Sequence, residues 1–116
     1  MWPFIFMKFT HSLKKNADFR KVYRKGRSKA DHFLVLYVLP NDTDINRLGI
    51  SVSKKVGNSV VRHHLTRLVR ESYRLHEDSY GKGYDFVVVL RTSSKDAGFH
   101  QIEDSLLTLM NYHGLI

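Results

Sequence analysis

The hydrophobic and polar positions of this chain follow two periodicities, and each marks a different kind of element. A helix is predicted at 16–25, where Phe19, Val22 and Tyr23 share one face at i, i+3 and i+4 spacing. Asn16 is expected to cap this helix, because its side chain can accept a bond from a free backbone amide of the first turn. Two further helices are predicted, from 58 or 59 to 76 and from 98 to 112.

Strand patterns occupy most of the remaining chain. The segments 33–39 and 84–91 are apolar on both faces, which is typical of strands that are covered on both sides. The segment 47–53 alternates between apolar and polar residues, and a shorter extended piece is predicted at 27–31. We expect 33–39 and 47–53 to form a hairpin-like pair, and 47–53 to pair in parallel with 84–91 through the intervening helix.

The order of these elements predicts the fold class. The order α-β-β-β-α-β-α indicates an α+β protein with one mixed four-stranded sheet and helices packed on it. The 116 residues correspond to a single domain, 1–116. Within it, residues 1–6 are expected to be a disordered extension, because Met7-Lys8 looks like a natural start.

Charge narrows the range of functions. Lysine and arginine number 19 against 11 acidic residues, a formal net charge of +8, and such an excess favours a polyanionic partner. The absence of cysteine excludes disulfides, cysteine-ligated zinc and thiol catalysis. No stretch approaches the roughly 18 apolar residues of a membrane-spanning helix. A cytoplasmic location without a membrane partner is therefore expected.

The long helix carries the strongest functional pattern. At 100° per residue it has an apolar stripe and an opposite basic stripe. The apolar stripe consists of Val61, Leu65, Leu68, Ser72 and Leu75, and the basic stripe of His63, Arg67, Arg70 and Arg74, flanked by Arg62, Thr66 and Tyr73. Glu71 is the only acid on this helix. Solvated helix faces usually mix both signs of charge, whereas a face of one sign matches a phosphate backbone.

The loop before this helix contains Lys54 and Lys55. Unpaired amides and the positive end of the helix dipole make such a position suitable for an anion. A pair of lysines in a loop is by itself more typical of an ordinary polar turn. The neighbouring basic stripe favours the interpretation as a phosphate contact.

Aromatic residues form a second constellation. Phe19, Tyr23 and Tyr37 can line a shallow groove between the first helix and the sheet, flanked by Lys15, Arg20 and Arg24. Unpaired bases stack on aromatic faces that lie beside cations. The alternative is that Phe19 is a plain core residue.

Catalytic and metal-binding patterns are weak. His63 and His64 are adjacent and point about 100° apart on a helix, and the other histidines are scattered. The sequence has no paired-carboxylate motif and no glycine-rich phosphate loop. No catalytic residue and no metal ligand are predicted in this chain.

The run 47–62, RLGISVSKKVGNSVVR, resembles the signature of the bacterial ribonuclease P protein family. It continues through 63–71 as HHLTRLVRE. The stretch 13–23, LKKNADFRKVY, is similar to the opening helix of that family, and 84–91 fits its last strand. The resemblance extends from Met7 to about residue 112.

The resemblance implies a function and a detail of the fold. In this family the RNA subunit, with bound Mg²⁺, removes the 5′ leader of precursor tRNA, and the protein is not the catalyst. One protein binds each catalytic RNA, holds the leader in a central cleft and raises the affinity for substrate and metal ions. The family also implies a left-handed β-α-β crossover, against the usual right-handed rule.

The resemblance assigns two groups of residues. The catalytic RNA is expected to contact Lys54, Lys55, Arg62, His63, His64, Arg67, Arg70 and Arg74. The leader is expected to contact Lys15, Phe19, Arg20, Tyr23 and Tyr37. The chain departs from the family pattern Arg-Asn-Arg-x-x-Lys/Arg at His63 and His64, and Thr66 stands where lysine is common. These departures predict RNA binding that is weaker or more pH-dependent.

Three alternatives remain open from the sequence. A ribosomal-type RNA-binding protein of similar fold has the same size and charge. A protein-only nuclease would need clustered carboxylates, whereas Asp42, Asp44 and Asp85 look like turn and strand-end residues. A binder of anionic membrane surfaces is the third.

Overall fold

The computed structural model describes residues 7–116, so the expectation for residues 1–6 lies outside the described residues. The main elements are β1 (Thr10–Ser12), α1 (Asn16–Lys25), β2 (Arg27–Ala30), β3 (Leu34–Pro40), β4 (Asn46–Val52), α2 (Ser59–His76), β5 (Tyr84–Leu90) and α3 (Phe99–Tyr112). Short 3-10 turns follow α2 and β5, at Glu77–Ser79 and Thr92–Ser94. The α+β class is confirmed. None of the helices in residues 7–116 is long and apolar enough to cross a membrane.

The strands form one mixed sheet in the order β1-β4-β5-β3-β2. β4 and β5 pair in parallel through α2, as predicted. The predicted hairpin-like pair of β3 and β4 is wrong, because β5 lies between them and pairs with both. A strand that is apolar on both faces is best buried at the centre of a sheet, and β5 takes that place. The left-handed crossover stays a prediction.

Within residues 7–116 the sheet has five strands rather than the predicted four. The additional strand, β1, is parallel to β4 and lies at the edge of the sheet. Its residues show no apolar alternation that would have indicated it. Thr10 is buried, and polar partners satisfy its hydroxyl there. The hydroxyl lies 2.8 Å from the hydroxyl of Tyr73 and donates to the carboxylate of Glu77 at 2.5 Å. β1 therefore depends on contacts with residues far along the chain.

Side chains alternate across the sheet into two cores. On one face α2 and α3 cover Phe86 and Val88. On the opposite face α1 places Val22 in a smaller cluster with Val87. Covering on both sides is thus confirmed for the central strands. Because α1 is short, Tyr37 on its face of β3 stays half-buried, and a groove remains beside the helix.

The orientation of α2 differs from the predicted one. Leu65 and Ser72 are buried as predicted, but Leu75 is 50% exposed and Tyr73 is buried. The ring of Tyr73 packs between Tyr80 and Phe86, at centroid distances of 5.2 and 6.0 Å. Burial raises the pKa of the Tyr73 hydroxyl to about 12. The buried stripe consists of Leu65, Val69, Ser72 and Tyr73, with Val61 and Leu68 partly buried beside it.

Ion pairs fix α1 on the sheet. Arg47 of β4 donates to the Asp85 carboxylate of β5 through Nε at 2.9 Å and through a terminal nitrogen at 2.6 Å. Its other terminal nitrogen reaches Asp18 of α1 at 3.3 Å.

Asn16 is not the cap that the sequence predicted, because Lys15 occupies the N-cap and Asn16 is the first helical residue.

Candidate nucleic-acid interface

A groove of about 530 Å³ opens between α1 and β4. Three of the residues predicted to bind the leader line it, namely Phe19, Arg20 and Tyr23. The other lining residues, which no sequence pattern predicted as a leader contact, are Asn16, Ile50, Ser51 and Val52. A signal existed for Ser51, because it follows Gly49 on the small, polar face of β4.

The depth of the groove depends on Gly49. A Cβ added at this position would lie 2.6 Å from Cζ and 2.7 Å from Cε1 of Phe19. Real Cβ atoms do not approach other atoms so closely, so any side chain here would push the ring away from β4. Glycine therefore lets Phe19 lie directly against the strand while part of its ring faces the groove.

Aromatic rings continue from the groove across the sheet. The rings of Phe19 and Tyr23 are 6.3 Å apart, and the ring of Tyr37 meets Tyr23 edge-on at 5.0 Å. Tyr23 is 39% exposed. Two residues predicted to bind the leader, Tyr37 and Lys15, do not line the groove itself. Tyr37 contacts Tyr23 from β3, and Lys15 is exposed at the N-cap of α1. Partly exposed rings with Arg20 beside them are a surface on which unpaired bases can stack.

The outer face of α2 forms a second surface, on the other side of the sheet. His63, His64 and Arg67 are exposed on it, and Val60 beside them is 75% exposed. Lys54 and Lys55 are exposed in the turn before the helix. The start of α2 is well defined, because Oδ1 of Asn58 accepts a hydrogen bond from the amide of Val61 at 3.0 Å.

The remaining arginines predicted on the basic face of α2 are less exposed to solvent. Arg62, Arg70 and Arg74 are partly covered, as the rotation of α2 requires. Arg74 donates to Glu71 through Nε at 3.2 Å and through a terminal nitrogen at 2.5 Å, which raises the pKa of Arg74. The basic stripe is therefore strongest in the first half of the helix and partly neutralised in its last turns.

Histidine and carboxylate side chains also join α2 to α3. Nε2 of His76 lies 2.9 Å from the carboxylate of Glu103, and Nδ1 of His100 lies 3.5 Å from it. The hydrogen bond to His76 is the main reason that the pKa of Glu103 is lowered. Within residues 7–116, no three histidine, aspartate or glutamate side chains are grouped to hold a metal ion.

Fold and surfaces together define a class of protein. It is a small α+β domain with a basic helical face on one side of the sheet and an aromatic groove on the other, as in RNA-binding proteins. The family Ribonuclease P matches residues 7–114. The chain belongs to the bacterial ribonuclease P protein family. It is thus a protein component of ribonuclease P, the endoribonuclease that processes the 5′ end of tRNA.

Relatives and solved structures agree with this assignment. The chain is 53% identical over 106 residues to the ribonuclease P protein component of Clostridium acetobutylicum, covering 90% of this chain and 89% of the relative. It is 51% identical over 102 residues to that of Clostridioides difficile, covering 87% and 90%. The Staphylococcus aureus RNase P protein structure superposes with a TM-score of 0.84 at 39% identity, covering 90% of this chain and 96% of that one. The Thermotoga maritima protein gives 0.81 at 30% identity, covering 88% and 96%.

Proposed function

We propose that this chain binds the catalytic RNA of ribonuclease P with α2 and binds the 5′ leader of precursor tRNA in the groove beside α1. The observation that carries the proposal is the pair of partly exposed rings, Phe19 and Tyr23, in an open groove next to Arg20. A leader is single-stranded, so its bases are free to stack on such rings. A mature tRNA has lost the leader, so it offers no such bases at its 5′ end.

The proposed contact with the catalytic RNA is mainly electrostatic. Its centre is the exposed group His63, His64 and Arg67, with Lys54 and Lys55 at the start of the helix. Arg62, Arg70 and Arg74 lie along the edge of this surface. Side chains of one sign bind phosphates and release counterions, so the affinity is expected to fall steeply with salt.

The proposed contact with the leader involves Phe19, Arg20 and Tyr23 in the groove. Tyr37 holds Tyr23 in place from β3, and Lys15 adds a cation at the start of α1. The two surfaces lie on opposite faces of the sheet, since α1 and α2 cover different cores. One protein per catalytic RNA can therefore contact both RNAs at once.

Catalysis is assigned to the RNA subunit. The side chains of residues 7–116 do not fit a protein-held metal site, and in the proposal Mg²⁺ is bound mainly by the RNA, where it supplies the hydrolytic chemistry. The role of the protein is to position the leader and to neutralise phosphates. The process is proposed to take place in the cytoplasm, where tRNA precursors are made.

Reconstitution tests the proposal. The protein is added to ribonuclease P catalytic RNA at low Mg²⁺, and release of the leader from precursor tRNA is measured. Stimulation is expected, and the protein without RNA is expected to leave the substrate intact. No stimulation would favour the ribosomal-type alternative, and cleavage by the protein alone would favour the nuclease.

Matched phenylalanine variants test the groove. Phe19→Ala is expected to weaken binding of precursor tRNA by about 1–3 kcal/mol and to leave binding of mature tRNA unchanged. Phe9→Ala is the control, because Phe9 is also half-buried but directly precedes the edge strand β1, where Nζ of Lys82 lies 4.3 Å from its ring centroid. Equal losses for both variants would contradict a specific leader site.

A further inference from the structure

The strand β2 presents cations that the proposed contacts do not use. All four of its residues are exposed, and Arg27 and Lys29 are among them. Within residues 7–116, neither forms an ion pair with a carboxylate, in contrast to Arg47 and Arg74. β2 is also an edge strand, because in the described part of the chain it pairs with β3 only. Its outer backbone groups and its two cations therefore face solvent together.

The register of β2 places Lys29 next to an exposed aromatic ring, with Arg27 on the same face of the strand. Arg27 is paired with Val38 and Lys29 with Leu36, whose side chains enter the core beneath α2 and α3. Consistent with that face, Nζ of Lys29 lies 4.9 Å from the ring centroid of Tyr112 in α3.

Tyr112 is 61% exposed, more than either of the partly exposed groove rings. We call Arg27, Lys29 and Tyr112 the edge patch. An exposed ring with cations beside it is the arrangement that holds a single-stranded nucleic acid without reading its sequence.

The aromatic groove and the edge patch lie on opposite faces of the sheet, with the edge strand β2 between them. Ser28 of β2 is the cross-strand neighbour of Tyr37, and Tyr37 contacts Tyr23 of the groove at 5.0 Å. A strand that leaves the groove over Tyr23 thus meets β2 next and, once past this edge, the ring of Tyr112. Small or polar side chains at Ser28 and Ala30 leave this crossing unobstructed.

We infer that the edge patch binds the part of the single-stranded leader that extends beyond the groove, with one base stacked on Tyr112 and phosphates beside Arg27 and Lys29. The inference rests on the proposed function, because it requires the groove to hold the adjoining nucleotides. The ligand class is a single-stranded polyribonucleotide. Cations on an edge strand also prevent pairing with the strands of other molecules, and a purely protective role would leave leader binding unchanged.

Leader length separates these possibilities. Two precursor tRNAs are compared, with leaders of about 4 and about 16 nucleotides, which span the usual site sizes of a single-strand-binding domain. Each is bound to the reconstituted complex of catalytic RNA and protein. Tyr112→Leu and Arg27→Gln/Lys29→Gln are expected to weaken binding of the long leader about tenfold, and that of the short leader by less than about twofold. Lys95→Gln, an exposed cation elsewhere, is expected to change neither.

Unchanged affinity for the long leader in both variants would overturn the inference. Loss of affinity for both leaders to the same extent would overturn it as well, because the effect would then not depend on the extended segment. A photoreactive uridine near the 5′ end of the long leader is expected to crosslink to the edge patch, and crosslinking only to α2 would contradict the path. Failure of Phe19→Ala to weaken the short leader would instead refute the proposed function, so the two failures are distinguishable.

Discussion

Gly49 of β4 and Phe19 of α1 are in such close contact that a Cβ on the glycine would lie 2.6 Å from the phenylalanine ring. Gly49→Ala is therefore expected to displace the ring, to lower the free energy of unfolding by about 1–3 kcal/mol and to weaken leader binding. Chemical denaturation and substrate binding measure the two effects. Gly98→Ala is the control for leader binding, because among the described residues a Cβ there meets only Gln101, at 3.9 Å. Leader binding equal to wild type in Gly49→Ala would show that the depth of the groove is irrelevant.

Opposite charges on α2 predict opposite effects on binding of the catalytic RNA. Arg67→Ala removes an exposed cation and is expected to lower the slope of log affinity against log salt by about one. Glu71→Gln removes the only carboxylate of the helix and is expected to raise the affinity, because it no longer repels phosphate. Affinity measured across a salt series checks both. A decrease for Glu71→Gln would mean that its bond to Arg74 matters more than its charge.

His63 and His64 predict pH-dependent binding. Both are exposed beside Arg67 on the surface proposed to contact the catalytic RNA, and histidine is the side chain whose charge most often responds to pH in the physiological range. Affinity for the catalytic RNA is expected to rise as the pH drops from about 8 to about 6, and to rise less for His63→Asn/His64→Arg, whose charge is constant. Binding titrations of the two proteins at matched ionic strength provide the comparison. Identical pH profiles would show that these imidazoles do not face phosphate.

Arg47 is expected to be important for stability. It is the cationic partner of Asp85, whose side chain is only 4% exposed, and it also reaches α1 through Asp18. Arg47→Ala leaves a buried carboxylate without a counterion and is expected to cost about 3 kcal/mol in unfolding free energy. Lys8→Ala is the control: the pair of Lys8 and Asp78 is largely exposed, so its loss is expected to lower the free energy of unfolding far less than Arg47→Ala. Similar losses of unfolding free energy in the two variants would contradict a special role of Arg47 in stability.

His113 predicts a loss of stability in weak acid. Its side chain is buried at the end of α3, and burial lowers its pKa. The unfolded chain binds a proton near the ordinary histidine pKa of about 6.5 and the folded chain binds it only at a lower pH, so stability is full above that pKa and falls as the pH drops below it. Melting temperatures between pH 7 and 5 should fall less for His113→Gln than for wild type. His11→Gln, at an exposed position, should lose as much melting temperature between pH 7 and 5 as wild type. A smaller loss in His11→Gln would refute the conclusion that His113 causes the effect.

The sequence by itself determined the helices, the main strands and the chemistry of the candidate surfaces. The periodicity of α1 and α2 is a local property, so their bounds were predicted to within a residue of Asn16–Lys25 and Ser59–His76. Phe19 and Tyr23 were candidates from the sequence because unpaired bases stack on aromatic faces that lie beside cations, and a plain core residue was the alternative for Phe19. The run 47–71 indicated the family without any knowledge of the fold.

Only the tertiary structure decided which elements meet. The place of β5 between β3 and β4, and the strand β1, depend on pairings between distant segments that leave no local pattern. The rotation of α2 follows from the fit of Tyr73 among Tyr80 and Phe86, which helical spacing cannot predict. For the same reason the sequence could not predict the contact of Gly49 with Phe19. The two residues belong to different elements, and the distance between them is set by packing rather than by the chain that connects them.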